Sequence, residues 1–154
     1  MKCLDAQKLL SQIDAAIVDI NSFTAASTSE QSYMAKFLVV FIAGIYEECV
    51  ETIINEMVKK IASPEISNFI ESTLDTRFRN PDMGNIKGLL KKFNSAWYDT
   101  IDAMPKDQKD ALDSIYTNKN GLSHGSAITI TLIDVLDYYN KSRVIIEKID
   151  DILL

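Results

Sequence analysis

Histidine is scarce in this chain of 154 residues, because His124 is the only one. A di-iron helical bundle needs Glu-x-x-His pairs on two helices, so a single histidine excludes that class. Cys3, Cys49 and His124 lie in unrelated segments and form no zinc-ligand pattern. The sequence contains neither a Gly-x-Ser-x-Gly elbow nor a glycine-rich phosphate loop. We therefore expect a protein that uses no metal and no cofactor.

Cysteines and long apolar runs are also few. Cys3 and Cys49 are isolated, which favours a reduced, cytoplasmic setting over the alternative of a Cys3–Cys49 disulfide. The most apolar run, Phe37 to Ile45, is too short for a bilayer, which needs about 20 residues. The first ten residues do not have the regions of a signal peptide. We expect a cytoplasmic protein that has no membrane segment.

Positive charge is in the minority, with 16 Lys and Arg against 22 Asp and Glu and a formal net charge of -6. Such a surface repels phosphate on average, which excludes a nonspecific nucleic-acid coat but permits a local basic groove. Five basic residues do gather in one stretch: Arg77, Arg79, Lys87, Lys91 and Lys92. Two interpretations fit them, an ordinary solvated face, which is the commoner case, and a local RNA-binding patch.

Helical periodicity runs through almost the whole chain, and 47% of the residues are hydrophobic. The length fits one domain, residues 1–154, with a core that needs no metal or disulfide. We predict an all-α fold, a compact bundle of about five to six helices. The aromatic residues Trp97, Tyr98, Tyr138 and Tyr139 are expected in the core or an interface rather than as base-stacking platforms.

Turn and capping residues predict where these helices end. Expected loops are 24–29, 76–85 and 118–126, with Pro105 interrupting between two helices. Ser29 or Ser32 is expected to cap a long second helix that runs from about 30 to 61. The expected helix starts further along are Ser63 with Pro64, and a Thr131–Asp134 capping box. One helix is expected to carry Ile86, Leu89, Leu90, Phe93 and Trp97 on its buried face.

The long second helix has a broad apolar stripe, formed by Tyr33, Phe37, Val40, Phe41, Gly44 and Ile45. Helical spacing places Glu48 on this same stripe. A carboxylate there is either paired with a base or lines a cleft, because unpaired burial of a charge is costly. The other glutamates of the helix are expected on its solvated face.

The single histidine lies in the segment Lys119-Asn120-Gly121-Leu122-Ser123-His124-Gly125. A histidine near a helix end is by default a structural residue that satisfies backbone groups. Lys119 and Asn120 change this interpretation, because they are close enough to act together with the ring. A cation holds phosphate, an amide orients it, and an imidazole moves protons near neutral pH. Cleavage of an RNA phosphodiester needs these three functions.

The end of the chain, from LDSIYTNKNGLSHGS through ITITLIDVLDYYNKSRVIIEKIDDIL, resembles the signature region of HEPN domains. In that family an Arg-Asn-x-x-x-His motif, usually followed by Gly, closes one helix. The segment NPDMGNIKGLLKKF resembles the RiboL-PSP-HEPN branch or a related one. The resemblance covers essentially the whole chain in helix order, and its sharp motif is the histidine region.

The resemblance implies a metal-independent endoribonuclease, commonly part of a toxin–antitoxin or phage-defence system. It implies a homodimer with RNA as substrate, in which two motifs form a composite cleft at the dimer axis. His124 would then be the general base or acid, Asn120 would orient the phosphate, and Glu48 would support the site. Lys119 stands where the family has arginine, and it keeps the charge but loses the planar bidentate fork. The alternative is an inactive HEPN module that binds a partner protein or senses a nucleotide.

Overall fold

The computed structural model describes residues 1–23 and 27–154, apart from the side chain of Arg77. This part of the chain is all-helical, which confirms the predicted fold class. Its helices are α1 (Leu4–Ser22), α2 (Thr28–Ile61), α3 (Pro64–Arg77), α4 (Met83–Phe93), α5 (Ser95–Asp102), α6 (Lys106–Ser123) and α7 (Leu132–Leu153). The described residues thus form seven helices, so the expected five to six is wrong.

The extra helix arises at Asn94, within the segment expected to be one helix. Asn94 is extended, with φ -158° and ψ 125°, and its N–H donates to the carbonyl of Leu90. Its side-chain Oδ1 accepts from the N–H of Ala96 at 2.9 Å. Asn94 therefore caps both α4 and α5, because a short amide side chain competes with the helical backbone for hydrogen bonds.

Side-chain caps define several other helix starts. Ser27 caps α2 in a reciprocal capping box with Glu30, so the expected caps Ser29 and Ser32 are wrong. Part of the expected loop 24–29 is helical from Thr28 onward, and residues 24–26 lie outside the described residues. The predicted start at Ser63 and Pro64 is confirmed, as is the Thr131–Asp134 capping box.

Contacts along the bundle give the directions of the helices. Cys49 Sγ donates to the carbonyl of Ala6 at 3.6 Å, and α1 and α2 are joined by a short connection, so they run antiparallel. Asp150 in α7 accepts from the N–H of Cys3, and Tyr139 donates to Asp14, so α7 runs antiparallel to α1. It follows that α7 is parallel to α2. The end of α6, which precedes α7, therefore lies at the level of the first half of α2.

The core is centred on α2, which packs against α1, α3, α6 and α7. Its fully buried side chains include Leu38, Ile42, Tyr46, Ile53 and Ile54. Both cysteines are buried and free, and burial raises the pKa of Cys49 to about 12. Across the residues the model describes, no helix is long and apolar enough to traverse a bilayer.

Candidate functional site

The candidate site lies at the end of α6, which is longer than the sequence suggested. The expected loop 118–126 is wrong in its first half, because α6 continues to Ser123. Polar side chains support this last turn: Asn118 Nδ2 donates to the carbonyl of Ser114 at 2.8 Å, and Ser123 Oγ to that of Lys119 at 3.0 Å. Small polar residues therefore extend the helix here by bonding back to its own carbonyls.

The connection after α6 turns back onto the helix. Gly125 has φ +73°, which a glycine adopts without strain. Ile128 then packs over Gly121, where an added Cβ would come within 2.6 Å of Ile128 Cδ1. A side chain at position 121 would displace the end of Ile128, so glycine permits this close packing, and His124 is exposed at the helix end.

His124 and Asn120 lie on the same side of α6. They are four residues apart, and such residues are neighbours on a helix surface. The N–H of His124 donates to the carbonyl of Asn120 at 3.0 Å, so the last turn is intact. Asn120 is half-buried and lines a cavity of about 360 Å³ together with Asp82, Gly84, Asp113, Tyr116 and Thr117. The structure thus places the amide of Asn120 on the cavity wall, with the exposed His124 one helical turn further along the chain.

Lys119 points elsewhere. It is five residues from His124, which places it about 140° around the helix at about 100° per residue. Its Nζ donates to Oδ1 of Asn80, in the connection between α3 and α4. Of the three residues expected to act together, Asn120 and His124 share one side, and Lys119 instead joins α6 to this connection.

Asn80 is the centre of a small polar network that the sequence did not reveal. Its φ of 52° is in the left-handed region, which asparagine tolerates better than most residues. Its N–H donates to Oε2 of Glu47 at 3.0 Å, while Arg79 Nη1 donates to Oε1 of the same carboxylate at 3.2 Å. The Asn80-Pro81 pair signalled a turn in the sequence, but nothing there identified its partners on α2 and α6.

Glu47, rather than Glu48, is thus the carboxylate of α2 that is joined to Arg79 and Asn80. Glu48 is exposed, so its expected place on a buried stripe is wrong. The reason lies in the stripe itself: Tyr33 is 72%, Phe37 58% and Val40 47% exposed. The bundle covers the other faces of α2 and leaves this aromatic face open.

The carboxylates of the cavity beside Asn120 hold backbone groups. Asp82 caps α4 by accepting from the N–H of Asn85 at 2.7 Å, and Asp113 accepts from the N–H of Met83 at 2.8 Å. Tyr116 donates to the carbonyl of Ala43 at 3.0 Å, and burial raises the pKa of its hydroxyl well above the ordinary value. These contacts fix the start of α4 and the wall of the cavity against α2 and α6.

The basic residues between 77 and 92 have different surroundings. Lys87 pairs with Asp102 at 2.7 Å, and Lys91 Nζ lies 5.2 Å from the ring centre of Tyr98. Arg79 and Lys92 line a separate cavity between α3 and α4. Two members of the set therefore have partners on α5, while Arg79 and Lys92 face an open groove.

Metal ligands do not converge at this site. Within residues 1–23 and 27–154, no group of three or more His, Cys, Asp or Glu side chains is placed to hold a metal ion. The groups at the end of α6 are an imidazole, an amide and hydroxyls. Such groups bind phosphate and transfer protons.

An all-helical bundle whose penultimate helix ends at Asn-x-x-x-His-Gly is the arrangement that the resemblance to HEPN domains implied. The family model of RiboL-PSP-HEPN matches residues 2–154, and the chain belongs to this family. No curated protein and no solved structure gives a significant match. Membership of the family indicates an RNA-related function.

Proposed function

We propose that residues 1–154 form a single functional domain that acts as a metal-independent endoribonuclease. The observation that supports the proposal is that Asn120, which lines an open cavity, and the exposed His124 lie one helical turn apart at the end of α6. His124 is exposed and can reach a bound strand, while half-buried Asn120 is held by its helix. An amide of this kind orients a phosphate, and an imidazole can accept or donate a proton.

In the proposed reaction His124 accepts the proton of a ribose 2′-hydroxyl. The 2′-oxygen then forms a bond to phosphorus as the bond to the 5′-oxygen breaks. The leaving oxygen takes a proton from an acid, for which we propose His124 of the partner subunit. The products are a 2′,3′-cyclic phosphate and a 5′-hydroxyl, and neither step requires a metal.

Lys119 has a positioning role in this proposal. Its ammonium group is bonded to Asn80, so it holds the connection between α3 and α4 against the end of α6. Arginine at this position would offer a second pair of donors beyond that contact. We propose that the cation that approaches the substrate phosphate is instead Arg79 or Lys92, which face the open groove between α3 and α4.

A homodimer is part of the proposal, and the exposed face of α2 supports it. We call this face the aromatic stripe, formed by Tyr33, Phe37, Val40, Phe41, Gly44 and Glu48. The intervals between its members are four, three, one, three and four residues, so the spacing is the same in both directions. Two copies of α2 can therefore pack antiparallel about a two-fold axis between Val40 and Phe41. In that arrangement each member of the stripe lies opposite another member of the stripe on the second copy.

The paired side chains in that arrangement are chemically complementary. Phe37 opposes Gly44, where an added Cβ would meet nothing within 4 Å, so the ring has space. Tyr33 opposes Glu48, and its hydroxyl is a donor for the carboxylate. We therefore propose that Glu48 acts at the contact between copies, where it lies beside the first half of the other copy's α2.

Purified protein tests the proposal directly. RNA incubated in EDTA is expected to be cut to fragments with 2′,3′-cyclic phosphate ends, and His124→Ala is expected to abolish cutting with an unchanged helical circular dichroism spectrum. Light scattering is expected to show a dimer that Phe37→Glu converts to a monomer without activity. Equal cutting by wild type and His124→Ala would disprove the role of His124.

The second candidate function is a non-catalytic module that binds a partner protein or senses a nucleotide. The observation that favours it is the engagement of Lys119 with Asn80, where the family has arginine. Lys119→Arg separates the two functions. Cutting that appears only in this variant would show that the natural protein is the inactive module.

A role in a toxin–antitoxin or phage-defence system is a further part of the proposal and rests on the resemblance. Induced expression is expected to arrest bacterial growth, and the His124→Ala variant is expected to permit it. A cognate partner protein would relieve the arrest when co-expressed. Growth that is equal with both variants would contradict the defence role.

A further inference from the structure

A continuous groove lies between α3 and α4, on the far side of the 78–82 connection from α6. One part has a volume of about 310 Å³ and includes Arg79, Asn85 and Lys92. The adjoining part has a volume of about 150 Å³ and includes Phe69, Ile70 and Phe93. Both parts share the lining residues Thr73, Leu74, Leu89 and Lys92, so they form one groove with a polar end and an apolar end.

Two glycines keep this groove open. Gly84 and Gly88 are one helical turn apart on α4, and both line the polar part. An added Cβ at Gly88 would meet no atom within 4 Å. Glycine inside a helix is unfavourable by about 0.5–1 kcal/mol relative to alanine. We attribute the presence of Gly88 to the space that it leaves in the groove.

The polar end suits an anion. Neither part of the groove has an acidic residue among the side chains that line it in the described chain. Arg79 donates to Glu47 and to the carbonyl of Asp75, yet its side chain stays 61% exposed. The stretch from 77 to 92 contains five basic residues and one acidic residue, in a protein with net charge -6.

The apolar end suits a flat ring. Phe69 is 72% and Phe93 37% exposed, so both rings offer apolar surface at this end of the groove. Asn85 and Phe93 are eight residues apart, about 12 Å along α4 at 1.5 Å per residue. This length accommodates an extended nucleotide, with phosphate at one end and base at the other.

We propose that the groove between α3 and α4 binds a nucleoside phosphate, with the phosphate at Arg79 and Lys92 and the base against Phe69 and Phe93. Gly84 lines both this groove and the cavity that contains Asn120, so the two spaces are neighbours at Gly84. A single strand of RNA occupying the groove is thereby led to the end of α6. The RNA as source of the nucleotide rests on the proposed function, whereas the chemistry of the groove does not.

Binding of a fluorescein-labelled oligouridine, followed by anisotropy, tests the groove in a His124→Ala background, where the strand stays intact. Lys92→Glu is expected to weaken binding about tenfold, because it replaces a phosphate contact by repulsion. Lys91→Glu is the matched control with the same charge change on the same helix, and it is expected to change binding about twofold or less, by long-range charge alone. Equal loss in both variants would overturn the proposal, because it would indicate diffuse attraction.

Gly88→Leu fills the groove without removing any charge. Its melting temperature is expected to equal or exceed that of the parent, since leucine is the better helix former, while binding falls about tenfold. Phe69→Ala is expected to weaken binding about fivefold through lost stacking, with the salt dependence unchanged. Undiminished binding by Gly88→Leu would overturn the groove as the site.

Competition distinguishes the ligand chemistry. Uridine monophosphate is expected to displace the labelled strand better than inorganic phosphate, and equal displacement would overturn the role of the base. If the wild type cuts RNA but binding does not depend on Lys92, the groove proposal is wrong and the proposed ribonuclease function stands. If binding depends on Lys92 but no RNA is cut, the groove proposal stands and the proposed ribonuclease function is wrong.

Discussion

α6 and α3 both pack against α2, and they do so in different ways. α6 buries Ala111, Leu112, Ile115 and Tyr116, and its tyrosine bonds to the backbone of α2. α3 packs closely against α2 alone in the described part of the chain, and Leu74 is its one large apolar side chain described as buried. Part of the boundary between α3 and α2 is an acidic cavity of about 500 Å³. A firmly packed helix carries the candidate catalytic residues, and a loosely packed helix forms the wall of the groove.

The largest expected effect distinguishes the packing of α6 against α2 from the packing of α3 against α2. Leu112→Ala removes a side chain that is fully buried, and we expect it to lower the free energy of unfolding by about 3 kcal/mol. Ile66→Ala is the matched variant on α3, where the side chain is 53% exposed, and about 0.5 kcal/mol or less is expected. Urea titration measures both, and similar losses would contradict the distinction between the helices.

The next effect concerns the hydrogen bond that joins α6 to α2. Tyr116→Phe removes the donor to Ala43 in a buried site, so we expect a loss of about 1–1.5 kcal/mol. Tyr98→Phe on α5 serves as control, because α5 does not pack against α2 in the described residues. Thermal unfolding measures the difference, and an unchanged melting temperature for Tyr116→Phe would show that this bond does not stabilise the contact.

A third effect tests the connection between α3 and α4, which Lys119 joins to α6. Asn80→Ala and Asn80→Gly both remove the acceptor of Lys119, but only alanine is strained at a φ of 52°. We expect alanine to cost about 1 kcal/mol more than glycine. Equal losses in urea titration would mean that the side-chain bonds, and not the backbone conformation, are what the site requires.

The smallest effect lies in the acidic cavity between α2 and α3. Burial raises the pKa of Glu51, whose Oε1 is buried without a partner among the described residues. The folded-state pKa is above the unfolded one, so the ionised form destabilises the fold as pH rises through that interval. Glu51→Gln is therefore expected to raise the melting temperature by about a degree or two at pH 7.

That gain is expected to disappear below pH 4, where the carboxyl is protonated in both states. Asp99→Asn on α5, where the side chain is exposed, is the control with the same change from carboxylate to amide, and it is expected to leave the melting temperature at pH 7 unchanged. A gain for Glu51→Gln that persists at low pH would contradict desolvation as the cause.

Local patterns in the sequence predicted much of the fold. Periodicity indicated every long helix, and Ser63-Pro64 and Thr131–Asp134 marked two starts correctly, because caps depend on residues within one turn. The division at Asn94 was missed, because an asparagine inside an apolar pattern does not show whether its side chain will bond to the backbone. The extension of α6 to Ser123 was missed for the same reason.

The candidate site was only partly predictable. Asn120 and His124 are four residues apart, so any helix places them together, and the motif was sufficient to identify them. Glu47 and Asn80 were not identified, since their contact joins residues 33 positions apart. The burial of Glu48 was misjudged, although its place on the stripe was not, because an apolar stripe in a sequence looks the same whether a bundle covers it or leaves it exposed.

The amino-acid sequence by itself determined the helical class, the family and the Asn120–His124 pair. These depend on periodicity and short spacing, which the local backbone converts directly into neighbouring positions. Only the tertiary structure decided that Lys119 holds Asn80, that the aromatic stripe is exposed, and that α3 and α4 enclose a groove. Those features depend on which helix faces are covered, and that is fixed by packing between segments far apart in the chain.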